Sequence, residues 1–144
     1  MKVFLGADHA GYKLKEKIKE FLAKKSTQFE DFGTNSEESC DYPDFAKKVA
    51  KAVQKNKGSF GVLVCGTGTG TAITANRFKG VRAVQATTNY LAQMAREHNN
   101  ANVISLGARV TPEKDALKFV ETILKTPFSN EERHVKRVKK IDSK

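Results

Sequence analysis

Tryptophan is absent, and there are only two cysteines, Cys40 and Cys65, which form no C-x-x-C pair. That excludes a disulfide framework and a zinc knuckle, and it leaves a thiol free for chemistry in a reducing compartment. No H-E-x-x-H spacing exists either, so the usual helical zinc site is missing. No apolar run approaches the ~20 residues that cross a bilayer. The first residues turn polar at Asp8 and His9, too early for a secretory leader. A cytoplasmic protein making no membrane contact is therefore expected. Repeats, linkers and low-complexity stretches are lacking too, and 144 residues suit one domain, 1–144.

What is present in excess is positive charge: 26 Lys and Arg against 16 Asp and Glu, a formal net charge of +10. A basic balance suits nucleic acid, anionic membranes or small anionic substrates. The lysines are dispersed, as in Lys13, Lys15, Lys17, Lys19 and Lys24, which reads as a solvated helix surface. Only residues 133–140 concentrate cations. Without tryptophan, RNA-binding strand aromatics or zinc-finger spacing, a basic nucleic-acid-binding module is a distant alternative.

Short apolar runs alternate with segments of helical period. Val3-Phe4-Leu5 is a strand ended by Gly6, and Leu14, Ile18, Phe21 and Leu22 give one helix face over 12–25. Phe29 and Phe32 mark a second strand, stopped by Gly33. Pro43 opens a helix with an apolar face of Phe45, Val49, Ala52 and Val53, and Gly58 ends it. Residues 60–65 form the clearest buried strand, followed by a glycine turn over 66–70 and a helix to about Phe78. A fourth strand covers 81–86, a helix includes 90–97, a fifth strand covers 103–106, and helices follow over 112–124 and 131–141. This alternation predicts an α/β fold: a single-domain, three-layer Rossmann-like sandwich with a five-stranded parallel sheet and a C-terminal helix. Ligands of such folds bind at the carboxyl ends of strands, where Asp8, His9, Cys65 and Arg109 fall.

Cys65-Gly66-Thr67-Gly68-Thr69-Gly70-Thr71 joins a buried strand to a helix. Alternating glycines let backbone N–H groups converge on an anion. Three familiar loops fail by position. A phosphate loop of the Walker type needs Lys where Thr67 stands, and a dinucleotide fingerprint needs glycine where Thr71 stands. A cysteine phosphatase needs arginine there. What remains is a thiol beside N–H groups at a helix start, suited to thiolate formation and general-base work. The plainer reading of Cys65 is a small apolar residue closing a strand.

In order, Gly6-Ala7-Asp8-His9-Ala10-Gly11, Asp41-Tyr42-Pro43, Cys65 to Gly70, His98-Asn99-Asn100-Ala101-Asn102-Val103, Gly107-Ala108-Arg109-Val110, and Arg133-His134 with Arg137 resemble the type B ribose-5-phosphate isomerases over essentially the whole chain. The resemblance implies an aldose–ketose isomerase acting on a phosphorylated sugar, with no metal or cofactor. It also implies a homodimer, or a dimer of dimers, whose active sites draw on both subunits. Cys65 matches the base that moves a proton between C2 and C1, Thr67 a hydroxyl serving the substrate oxygens, and His98 the residue that opens the sugar ring. Asp8 matches a partner of the sugar hydroxyls, and His9, Arg109, Arg133 and Arg137 match the phosphate-binding set. Tyr42, Asn99, Gly66, Gly68, Thr69 and Gly70 match further substrate contacts. Thr69 and Thr71 depart from the more apolar residues expected in the loop. Ribose 5-phosphate is the expected substrate, with allose 6-phosphate or galactose 6-phosphate as the alternative. A thiol redox or metal enzyme using Cys65 with His9, His98 or His134 is a further alternative that no motif supports.

Overall fold

A computed structural model describes residues 1–143. Strands β1 (Lys2–Ala7), β2 (Gln28–Asp31), β3 (Phe60–Cys65), β4 (Ala83–Gln85) and β5 (Val103–Gly107) form one sheet in the order β2-β1-β3-β5-β4. Every pairing is parallel. Helices α1 (Tyr12–Lys24), α2 (Tyr42–Lys55), α3 (Thr69–Ala75), α4 (Asn89–Asn99) and α5 (Glu113–Lys125) fill the crossovers, and α6 (Glu132–Asp142) closes the chain. Among the described residues no helix is long and apolar enough to cross a membrane.

Strand side chains alternate between two cores, as the pleat requires. Val3, Leu5, Val62, Val64, Ile104 and Leu106 pack with Leu14, Ile18, Ala92, Ala95, Val120 and Ile123 of α1, α4 and α5. Phe4, Leu63 and Val103 pack with Ala46, Val49, Ala50 and Val53 of α2 and Ala75 of α3. The sheet is thus sandwiched between two helical layers, as the sequence predicts. The chain leaves β1 toward β2 on one side and leaves β3 toward β5 and β4 on the other. The carboxyl ends of β1 and β3 therefore flank the crevice where the winding reverses, the usual ligand position of such sheets.

Several expected boundaries shift. The α3 helix ends at Ala75 rather than Phe78, because turn bonds from Arg77 and Phe78 N–H tighten the chain there. The β4 strand is reduced to Ala83–Gln85, since Val81 N–H bonds Phe78 O and Arg82 N–H bonds the Asn102 side chain. Ala52 is only half-buried; Ala46 and Ala50 take the inner face of α2.

Lys15 corrects the reading of the lysines as a solvated surface. It is 0 % exposed, with Nζ 2.5 Å from Asp31 Oδ2 and 3.0 Å from Glu16 Oε1. Lys19 reaches the same Asp31 oxygen at 2.9 Å. The other oxygen of Asp31 accepts the Gly33 N–H. Burial opposes ionisation of Asp31, but the hydrogen bonds from Lys15, Lys19 and Gly33 outweigh it and hold the carboxyl below the usual range. Removing one partner of a buried pair strands the other charge. Asp31→Ala is expected to cost about 3–5 kcal/mol of unfolding free energy in urea, and Lys15→Met in that background to recover most of it. Because the folded carboxyl titrates below the unfolded value of about 3.9, its stabilisation is complete above that pH and disappears as pH falls through the folded value. Asp31→Ala should therefore flatten the acid side of the stability–pH curve.

Candidate active site

Cys65 ends β3 with only 5 % of its surface exposed. Its Sγ accepts the Gly68 N–H at 3.1 Å and lies 3.3 Å from Thr71 Oγ1. That contact depends on Gly68, which has φ +83° and would meet the Leu106 carbonyl carbon at 2.9 Å if it carried a Cβ. A left-handed backbone and a close approach to β5 together require glycine there. The nest is smaller than the sequence suggests, because the Thr69 N–H bonds Thr67 Oγ1 and so does not turn toward Cys65.

The other rim residues gather around this loop. Asp8 is buried after β1, and its Oδ1 accepts the Gly11 N–H at the start of α1. His9 follows, with Nδ1 accepting the Cys40 N–H at 3.2 Å, which leaves Nε2 as the proton-bearing donor. The Arg109 N–H bonds Gly66 O, and the Arg109 guanidinium lies over Gly66. Tyr42, at the start of α2, packs so closely on Gly70 that a Cβ there would lie only 2.4 Å from two carbons of the ring. Thr67 is exposed; its hydroxyl accepts from Thr69 N–H and keeps its own hydrogen free to donate. Gln85 Nε2 braces the loop through Thr67 O and Thr69 Oγ1, a support that sequence reasoning missed. Asp8, His9, Tyr42, Cys65, Gly66, Thr67, Gly68, Thr69, Gly70 and Arg109 thus share one rim.

The remaining expected residues lie elsewhere. The α4 helix starts just beyond the carboxyl end of β4 and runs back along the sheet, so its 11 residues carry His98 and Asn99 about 15 Å toward the opposite rim. There Asn99 O accepts from Arg82 Nε, just before β4 begins. The α6 helix lies beside this end: Ser129 N–H bonds Glu97 O, and Arg82 Nη1 pairs with Asp142 at 2.7 Å. Arg133 and Arg137 are exposed on α6, and Arg133 Nε bonds Glu131. One chain therefore displays two half-sets of residues, at opposite rims.

His134, not expected in the site, lies against His98 with ring centroids 4.4 Å apart and the planes tilted by 36°. Its Nδ1 lies 2.7 Å from Ser129 Oγ. Burial, then the neighbouring His98 and Arg133, push the His134 imidazole below its ordinary range. An uncharged ring at the interior position suits close packing against a second histidine. Among the described residues, no three His, Cys, Asp or Glu side chains form a group that could hold a metal ion.

A model of the Ribose/Galactose Isomerase family matches residues 3–141. A Listeria innocua protein named ribose-5-P isomerase B is 41% identical over 129 residues, 90% of this chain and 87% of that one. The solved ribose-5-phosphate isomerase B of Clostridium thermocellum superposes with a TM-score of 0.95 at 48% identity, covering 99% of this chain and 95% of that one. The Mycoplasma genitalium ribose-5-phosphate isomerase B, solved with bound ribulose-5-phosphate, gives 0.94 at 40% identity, covering 98% and 93%.

The loop geometry makes a testable distinction between two left-handed glycines. Gly58 has φ +81° with nothing near its missing Cβ, whereas Gly68 abuts Leu106. Gly58→Ala is expected to cost about 1–2 kcal/mol from backbone strain alone. Gly68→Ala should cost clearly more in urea unfolding and should change the alkylation rate of Cys65. Equal losses would show that the close approach is unimportant.

Proposed function

The chain belongs to the Ribose/Galactose Isomerase family, and we propose that it interconverts ribose 5-phosphate and ribulose 5-phosphate as a homodimer with shared active sites. The observation that carries this reading is the buried Cys65 sulfur, held by the Gly68 N–H at the crevice between β1 and β3. The two free cysteines suit the reducing cytoplasm.

In the proposed reaction the phosphate is held by Arg109 and by His9 through Nε2, together with Arg133 and Arg137 supplied by the second subunit. Arginine's planar fork favours bidentate phosphate contacts. Binding energy at this remote group fixes C2 against the base. Asp8 accepts hydrogen bonds from the sugar hydroxyls. His98 of the second copy takes the hydroxyl proton of the ring hemiacetal while a second donor protonates the ring oxygen. The proton on His98 then returns to that donor, so neither group is changed once the chain is open. The Cys65 thiolate then removes the C2 proton, and negative charge develops on the carbonyl oxygen. Loop N–H groups stabilise that charge; by analogy with oxyanion holes each such donor is worth about 2.7–4 kcal/mol. Thr67, with its hydroxyl hydrogen free, serves the oxygens as their protons exchange. Return of the proton from Cys65 to C1 completes the isomerisation without net change in the enzyme.

Distance within one chain supports the sharing of the site. Within one chain α4 keeps His98 about 15 Å from the rim that carries Cys65, so the two half-sets meet only when copies pack with opposite rims together. A twofold arrangement builds two such sites at once.

Two experiments test the reading. Purified protein should convert ribose 5-phosphate to ribulose 5-phosphate, and Cys65→Ala should abolish conversion while leaving the circular dichroism spectrum unchanged. Turnover of allose 6-phosphate or galactose 6-phosphate alone would move the substrate to six carbons. Separately, inactive Cys65→Ala and inactive His98→Asn proteins, unfolded and refolded together, should regain about a quarter of the wild-type rate. Half the dimers would then be mixed, each with one intact site. No recovery would mean that each chain completes its own site.

A further inference from the structure

We infer that Thr71 and Ser105 form a hydroxyl relay behind Cys65 that satisfies the sulfur in both of its protonation states without admitting water. The inference rests on the proposed role of Cys65 as the base, and it makes Thr71 and Ser105 positioning residues for that base.

A base at this sulfur must alternate between thiolate and thiol in every turnover, yet it is nearly closed off from solvent. Its polar neighbours therefore have to serve both states. Beyond the Gly68 N–H, the sulfur's polar partner is Thr71 Oγ1 at 3.3 Å. Thr71 Oγ1 lies 2.6 Å from Ser105 Oγ, and the Ser105 hydroxyl reaches Gly68 O at 2.7 Å. Both hydroxyl residues are wholly buried. The Thr71 hydroxyl lies 3.4 Å from Gly68 O, a poorer alternative. Gly68 O has a second donor in the Ala72 N–H at 3.2 Å.

The chain holds two hydroxyl hydrogens, and their placement follows from counting donors. With the sulfur protonated, S–H donates to Thr71, Thr71 donates to Ser105, and Ser105 donates to Gly68 O. With the sulfur ionised, Thr71 turns its hydrogen to the thiolate and Ser105 turns its own to Thr71, while Gly68 O keeps the Ala72 N–H. Each group has a partner in each state, and no hydroxyl proton leaves its oxygen. The proton gained or lost is only the one that Cys65 exchanges with carbon. An unpaired buried polar group is costly. This arrangement leaves none stranded as the charge comes and goes.

Removing either hydroxyl should bias the sulfur in opposite directions. In Ser105→Ala the Thr71 hydrogen loses its best neutral acceptor and falls to the thiolate. In Thr71→Val the thiolate loses its hydroxyl donor. The other ionisable groups at this rim are Asp8 and His9 after β1, Arg109 after β5 and Tyr42 at the start of α2, while α3 carries none. They are the same in every variant, so a comparison among variants isolates the relay.

The test is the pH dependence of iodoacetamide alkylation of Cys65 in the full chain, with Cys40→Ser as background so that one thiol is read. The Ser105→Ala midpoint should fall by about one pH unit, and that of Thr71→Val should rise by a similar amount, each equal to about 1.4 kcal/mol. Thr71→Ser, which keeps the hydroxyl, should restore the background profile. Shifts of the same sign, no shift, or a Thr71→Ser profile like that of Thr71→Val would overturn the relay. If Ser105→Ala does not fold, Thr71→Val against Thr71→Ser decides. Sugar phosphate turnover is followed in parallel. Opposed alkylation shifts in a chain that turns over no sugar phosphate would leave the relay standing and remove the proposed function.

Discussion

Three neighbouring strands end level with one another, and the rim chemistry depends on that register. In β3, Val64 pairs with Ala7 of β1, and Cys65 pairs with Gly107 of β5. Asp8 therefore emerges beside the sulfur on one side and Arg109 on the other. Parallel ladders have a side-chain period of two, so a slip of one residue would turn Cys65 to the opposite face of the sheet. Two separate cores guard against that slip. Leu63 is committed to the α2 side, and Val62 and Val64 to the side of α1 and α5. Packing far from the crevice thereby fixes where the thiol points.

Much of this was legible in the sequence because strands buried on both faces read as unbroken apolar runs, as in residues 60–65. Crossover helices likewise show their period. The shortened β4 was harder to read, since its start is decided by the Asn102 side chain, 20 residues further on, which takes the Arg82 N–H. Lys15 was misread because its neighbours in sequence are lysines at the surface. Its place on the Ile18 and Leu22 face shows in the helical spacing, but the partner that makes burial tolerable, Asp31, comes from the end of β2.

The rim residues were likewise legible by their position after strands and by resemblance. Their supports were not. Thr71 meets Ser105 across 34 positions, and His98 meets His134 only through the docking of α6 on α4. Thr71 stood out in the sequence only as an oddity of the glycine loop. Its hydroxyl acquires meaning once β5 places a second hydroxyl beside it. Contacts of this kind depend on tertiary packing, which local patterns do not encode.

The α4 helix also acts as a ruler. It begins near the rim that holds the thiol and carries His98 to the other, so its length sets how far that imidazole lies from the sulfur in one chain. One inserted residue would advance His98 by about 1.5 Å and swing it by about 100° around the axis. Substitutions on the outer face of α4 leave that spacing intact, whereas a single insertion or deletion alters it. The length of this helix thus fixes the separation of the two rims as firmly as any side-chain contact.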